Sequence, residues 1–106
     1  MTSEIKDIVR GDTRSPIIIV RDRNKNVFDV TGYTVKVYGK INIKDNERII
    51  NKDGYVVNGP EGKIGFTLDI SDTDREFCKV YYRVVIMKGS IVKTVKNSTF
   101  KIVPGI

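Results

Sequence analysis

The chain has 106 residues, which is enough for one domain with its own hydrophobic core. Its hydrophobic share of 40% and charged share of 30% exclude an intrinsically disordered chain. The formal net charge of +6 raises nucleic acid as a partner, but the basic residues are spread along the chain, which disfavours direct nucleic-acid binding. Because the chain has neither a long apolar run nor the apolar core of a signal peptide in residues 1–10, we expect a soluble protein, made in the cytoplasm, with no membrane partner.

The residue types argue against catalysis. The chain has no histidine and a single cysteine, Cys78, which excludes an internal disulfide and disfavours a metal site. It contains no nucleophile elbow, phosphate-binding loop or paired-carboxylate motif. We therefore expect a non-enzymatic protein with no cofactor and no small-molecule substrate. Asp69, Asp72 and Asp74 leave two interpretations open, a calcium site at a sheet edge or a capped turn.

The first third of the chain predicts short strands. Residues 1–10 are either an edge strand or an arm that docks on a neighbour. Residues 17–20 are four β-branched residues, which predict a strand partly covered on both faces. Gly32 is expected at a positive φ where the chain turns into the next strand. Residues 33–44 alternate between apolar and polar, which predicts a half-buried strand with a bend or bulge at Gly39.

Turn signals divide the middle of the chain. Asp53-Gly54 stands between two β-prone runs, and this predicts a hairpin with a type I′ turn. Residues 64–70 alternate and predict another half-buried strand. Residues 71–77 predict one helical turn capped by Ser71 or Asp72, with Phe77 in the core.

The segment of residues 79–103 predicts two long strands joined by Gly89-Ser90. Its apolar phase changes by one residue, which indicates either a bulge near Asn97-Ser98 or a strand that passes from one sheet to the other. Together these elements give about seven to nine strands with one short helical turn. We therefore predict that residues 1–106 form a single all-β domain, an antiparallel immunoglobulin-like β-sandwich.

Candidate partner-binding residues come from two segments. Four residues on the polar face of the alternating strand are basic or aromatic: Lys36, Tyr38, Lys40 and Lys44. Such a face is either solvated sheet surface, a protein contact or, less favoured, a nucleic-acid site. Ile5 and Ile8 would carry the contact if residues 1–10 are an arm. A carbohydrate- or cell-surface-binding module is an alternative, and it requires a platform among the five tyrosines.

Several short segments, taken in order, carry a family resemblance. They are Gly11-Asp12-Thr13, Asp29-Val30-Thr31-Gly32, residues 62–68, Asp72-Thr73, residues 81–84 and residues 98–104. In this order the chain resembles the immunoglobulin-like domain of bacteriophage virion proteins, as at the N-terminus of the baseplate upper protein of siphophages. Cys78 and Ser98 stand where that family is expected to have glycine, and Asn24-Lys25 stands in place of its Asp-Gly turn.

The resemblance implies a structural protein of the virion, assembled in the host cytoplasm. It implies docking on other virion proteins as a homo-oligomer or in symmetric multiple copies. Both a baseplate or tail adaptor and a head-decoration or fibre-anchoring protein fit it. It implies no catalytic residues.

Overall fold

The structure is a computed structural model that describes residues 7–41, 49–75 and 78–104. Strands alternate with turns along these residues, and one short helix interrupts them. The elements are β1 (Ile8–Val9), β2 (Ile17–Ile19), β3 (Thr34–Lys40), β4 (Ile50–Asp53), β5 (Tyr55–Asn58), β6 (Lys63–Gly65), α1 (Ile70–Thr73), β7 (Cys78–Lys88) and β8 (Ile91–Val103).

The strands form two sheets that enclose one hydrophobic core, so the predicted all-β sandwich is confirmed. The larger sheet has five strands in the order β1-β8-β7-β3-β4, and the smaller has three in the order β2-β6-β5. Pairing in the described chain is antiparallel except that β1 runs parallel to β8, with Ile8 opposite Ile102. The larger sheet is therefore mixed, and the purely antiparallel prediction is wrong at this edge.

The two long closing strands form the centre of the larger sheet, as predicted. β7 and β8 pair along their whole length around Gly89-Ser90. The register shifts between Val84 and Val85, because Val84 faces Lys96 whereas Val85 faces Thr94. The extra residue of this bulge is Val95, so the bulge lies slightly nearer the turn than predicted. β8 stays in one sheet throughout, which rules out the alternative of a sheet-switching strand.

The predicted Asp53-Gly54 hairpin is wrong. β4 and β5 flank Gly54 but belong to different sheets, so the chain crosses the sandwich at this residue. Gly54 is not among the positive-φ glycines that a type I′ turn requires. Its backbone is instead packed tightly: a Cβ here would lie 2.5 Å from the Gly65 carbonyl oxygen and 2.6 Å from Val35 Cγ1. The glycine is needed for close approach of the two sheets.

Inward-facing residues from both sheets fill the core. The largest fully buried side chains are Phe66, Ile8, Ile50, Ile64, Leu68, Ile86, Ile102, Val30, Val35, Val37, Val80 and Val84. Tyr82 also faces inward, with ring centroids 6.2 Å from Phe66 and 5.6 Å from Phe100. Gly39 is in regular register with both neighbouring strands, so it is not a bulge. A Cβ at this position would lie 3.1 Å from Ile50.

Gly32 lies at the turn into β3. Gly32 has φ 81°, as expected, and the preceding turn is closed by the Thr31 N–H, which donates to Asp29 Oδ1 at 2.9 Å. Phe77 lies outside the described residues, so its place in the core stays a prediction. No described helix has the length and apolar character needed to cross a membrane.

Candidate functional site

The outward face of the larger sheet carries the candidate residues on β3. Val35 and Val37 point inward and are buried, so Lys36, Tyr38 and Lys40 point outward by strand alternation. All three outward residues are half-buried. The sequence prediction that these side chains share one face of a strand is therefore confirmed.

β7 supplies the other half of this face. Its outward residues lie directly opposite those of β3, with Arg83 beside Tyr38 and Tyr81 beside Lys40. On the far side of β7, Lys79 lies opposite Lys101 of β8. We call this surface the basic face, and its members are Lys36, Tyr38, Lys40, Lys79, Tyr81, Arg83 and Lys101.

Cations lie over both aromatic rings of the basic face. The Arg83 guanidinium carbon is 5.5 Å from the centre of the Tyr38 ring, and Lys79 Nζ is 5.3 Å from the centre of the Tyr81 ring. At these distances the ring quadrupole attracts the cation. Each of the two tyrosine rings therefore has a basic side chain over one face.

The basic face has a strong excess of positive charge. Its five cations are accompanied by one carboxylate on the paired strands, Asp53 of β4, which forms an ion pair with Lys36. The hydrogen bond from the Lys36 ammonium to Asp53 raises the pKa of that lysine. In the part of the chain that the structure describes, the other four cations form no salt bridge with a carboxylate.

The remaining sequence candidates are not part of the basic face. Ile8 has 0% exposure and belongs to the core, because β1 adds to the edge of the larger sheet and points this side chain inward. Its side chain is therefore not presented to a partner in this conformation. Ile5 and Lys44 lie outside the described residues.

The sequence analysis did not join β7 and β8 to the candidate face. The sequence of β7 alternates as that of β3 does, and it predicts that Lys79, Tyr81 and Arg83 share one face of a strand. Local sequence does not predict that β3 and β7 are neighbours in one sheet, because three strands and a helix separate them along the chain. Strand order, rather than local pattern, assembles the site.

The outward face of the smaller sheet carries exposed apolar side chains at its two outer strands. Ile17 of β2 and Tyr55 of β5 flank Gly65 of the central strand, with exposures of 38% and 43%. Val57 is 46% exposed near the same edge. In β2, Ile18 is buried, Ile19 is half-buried and Ile17 is the most exposed, so the strand is fully covered on its inner face and partly covered on its outer face.

The tyrosines do not form one carbohydrate platform. Tyr82 is buried in the core, and Tyr33 packs edge-on against Phe28 with ring centroids 5.8 Å apart. Tyr55 lies on the smaller sheet, whereas Tyr38 and Tyr81 lie on the larger one under basic side chains. The arrangement gives no shared exposed stacking surface among these residues.

The three clustered aspartates make protein contacts around α1. Lys52 of β4 forms an ion pair with Asp72, donates to the Thr67 carbonyl at 2.6 Å and lies 3.6 Å from Asp69 Oδ2. Asp74 pairs with Arg10 at 2.9 Å. The cluster therefore ties the two sheets and the segment after β1 together, and the interpretation as a capped turn accounts for its contacts.

The cap residue of α1 is Asp69, not Ser71 or Asp72 as predicted. The Asp69 N–H donates to the Asp72 carboxylate at 2.9 Å, and the Ser71 hydroxyl donates to Asp69 Oδ1 at 2.5 Å. The Ser71 hydrogen bond and the nearby Lys52 ammonium lower the pKa of Asp69 to about 2. Cys78 is a free thiol whose pKa is raised by partial burial, so it is not an activated nucleophile.

Comparison with known proteins gives a similarity in structure but none in sequence. No protein-family model matches the chain, and no curated protein matches its sequence. Among solved structures the chain is similar to the N-terminal domain of ORF48 of phage TP901-1, with a TM-score of 0.53 and 13% identity. The superposition covers 96% of this chain and 86% of that one. At this identity the similarity shows the fold, and the immunoglobulin-like assignment stays a prediction.

Proposed function

We propose that this protein is a non-enzymatic structural protein of a bacteriophage particle. It docks on other particle proteins in multiple copies, and its localisation is the virion. The observation that carries the proposal is the similarity of fold, over 96% of the chain, to the N-terminal domain of a phage protein. Fold alone does not specify function, so the surface chemistry must support the same role.

The surfaces of the sandwich suit an attachment role. One outward sheet face is basic and contains tyrosines and an arginine, residue types that are enriched in protein interfaces. The other outward face is apolar around Tyr55 and Val57. Two chemically different faces on opposite layers allow one copy to contact two different neighbours, as a structural adaptor requires.

Particle association tests the proposal directly. Particles from the host that carries this gene are purified through a density gradient, and quantitative mass spectrometry measures the number of copies per particle. We expect a fixed copy number that survives high-salt washing of the gradient fractions and matches a symmetric ring or lattice. Recovery of the chain only in the particle-free lysate would refute a structural role.

Immunogold labelling of the same particles separates three possible locations. Gold at the tail end indicates a baseplate or tail adaptor. Gold distributed over the capsid indicates a head-decoration protein, and gold at one fibre base indicates an anchor. Each outcome also names the neighbouring proteins against which docking is then measured.

A further inference from the structure

We propose that the basic face is a docking surface for an acidic protein surface. This inference deepens the proposed function, since the partner is then another protein of the particle. The first observation is a pair of like charges that does not stabilise the fold. Lys79 and Lys101 lie directly opposite each other on neighbouring strands, and like charges at such positions destabilise a sheet.

The charge excess extends beyond this pair. Lys40 lies on β3 and Arg83 on the central strand β7. Like Lys79 and Lys101, they form no salt bridge with a carboxylate within the described ranges. Around α1, in contrast, cations are paired with carboxylates, Lys52 with Asp72 and Arg10 with Asp74. A face on which four cations have no carboxylate partner among the described residues is complementary to carboxylates of another protein.

The aromatic residues favour protein over nucleic acid as the partner. Single-stranded nucleic acids are bound by stacking bases on free ring faces. Here Arg83 lies over Tyr38 and Lys79 lies over Tyr81, so a base would have to displace a cation from each ring. Tyrosine and arginine side chains are, in contrast, residue types enriched in protein interfaces.

The size of the face indicates how strongly one copy binds. Three strands about 4.8 Å apart, and the length of β7 from Lys79 to Val85, which lies opposite Lys36, give a patch of roughly 10 by 20 Å. A standard interface covers about 800 Å² of each partner, so this patch is small. We therefore expect weak, salt-sensitive binding by a single copy, which becomes firm attachment when several copies bind one assembly.

The test uses the purified full chain and two labelled probes in fluorescence anisotropy, a 20-residue polyglutamate peptide and a 20-nucleotide thymidine strand. A face variant removes three cations of the basic face by Lys40→Gln, Lys79→Gln and Lys101→Gln. A control variant removes three cations outside the basic face by Arg14→Gln, Arg23→Gln and Lys63→Gln. The two variants have the same net charge, so they separate the face from the overall charge of the protein.

We expect the face variant to bind polyglutamate at least about tenfold more weakly than the unmodified chain, and the control variant to stay within about twofold. The face variant should unfold at the same temperature as the unmodified chain or a few degrees higher, because it relieves the Lys79–Lys101 repulsion. Loss of binding is then not loss of folding.

Three results would overturn the inference. Equal weakening in both variants would mean that only the net charge matters. Tighter binding of the thymidine strand, with a further loss on Tyr81→Leu, would make the face a nucleic-acid platform. Self-association of the unmodified chain that disappears in the face variant would make the occupant a second copy of this chain. None of these results depends on whether the protein is found in particles, so failure here is distinct from failure of the proposed function.

Discussion

The crossing of the chain at Gly54 gives the sharpest test of the architecture. A Cβ at this residue would lie 2.5 Å from a backbone oxygen of β6 and 2.6 Å from a core side chain of β3, where ordinary contacts are 3.4–4 Å. Relief of both clashes requires the two sheets to separate by a fraction of an ångström. Since overpacking costs about 1–3 kcal/mol, we expect Gly54→Ala to lower the free energy of unfolding by about 2–3 kcal/mol, or roughly 10–20 °C in melting temperature.

Asparagine at the same position distinguishes the crossing from a hairpin. In a type I′ turn the glycine has a positive φ, where asparagine is tolerated better than alanine. At the crossing the larger side chain meets the same atoms, so Gly54→Asn should cost at least as much as Gly54→Ala. Urea unfolding followed by circular dichroism measures the free energy of unfolding for both variants.

Gly89 provides the matched control. It has φ 59° and nothing within 4 Å of an added Cβ, so only backbone conformation matters there. We expect Gly89→Asn to be milder than Gly89→Ala, with both within about 2 kcal/mol of the unmodified chain. If Gly54 showed this same order, β4 and β5 would form an ordinary hairpin and the assignment of the two strands to different sheets would be refuted.

Two further predictions concern the polar contacts around α1. Thr73 is fully buried and its hydroxyl donates to the Asp12 carbonyl at 2.7 Å. Thr73→Val should therefore lower the free energy of unfolding, measured in urea, by about 1–2 kcal/mol, whereas Thr73→Ser should lower it much less because the hydroxyl is retained. Equal losses in the two variants would mean that this hydrogen bond does not contribute to stability. Asp69 has a pKa of about 2, below its ordinary value of 3.8, so its charge stabilises the fold above pH ~4 and this contribution is lost as the pH falls through about 2. Asp69→Asn keeps a capping side chain and removes the charge, so the variant should be less stable at neutral pH and show a flatter decline between pH 4 and 2; parallel pH profiles would contradict the role of the charge.

Local pattern predicted the elements that depend on neighbours in sequence. The inward residues of β7, from Val80 to Ile86, and the outward residues of β3 follow directly from alternation. The change of phase in β8 was also visible, although the bulge is at Val95 rather than near Asn97-Ser98. The reason is that a bulge shifts the face of every later residue, so the pattern reveals its existence more clearly than its position.

Features that depend on tertiary contact were not predictable. Asp53-Gly54 has the residues of a tight turn, but the space between Gly65 and Val35 decides its conformation. The capping role went to Asp69 because Asp72 and Ser71 both bond back to it. Prediction of the basic face requires the order of the strands in the sheet, and the periodicity of a single strand contains no information about that order. In each case a contact between distant residues outweighed the local preference.

The parallel strand β1 has a consequence for folding order. β7 and β8 are joined by a two-residue turn and form quickly, whereas β1 pairs with β8 across nearly the whole length of the chain. Closing so long a loop costs more entropy, and two residues of pairing return little until the core has formed around Ile8. We therefore expect β1 to dock last and to open first in amide hydrogen exchange. Each opening would expose the backbone hydrogen-bonding groups of β8 at Ile102 and Val103. β1 therefore protects this edge of the sheet from pairing with strands of other molecules.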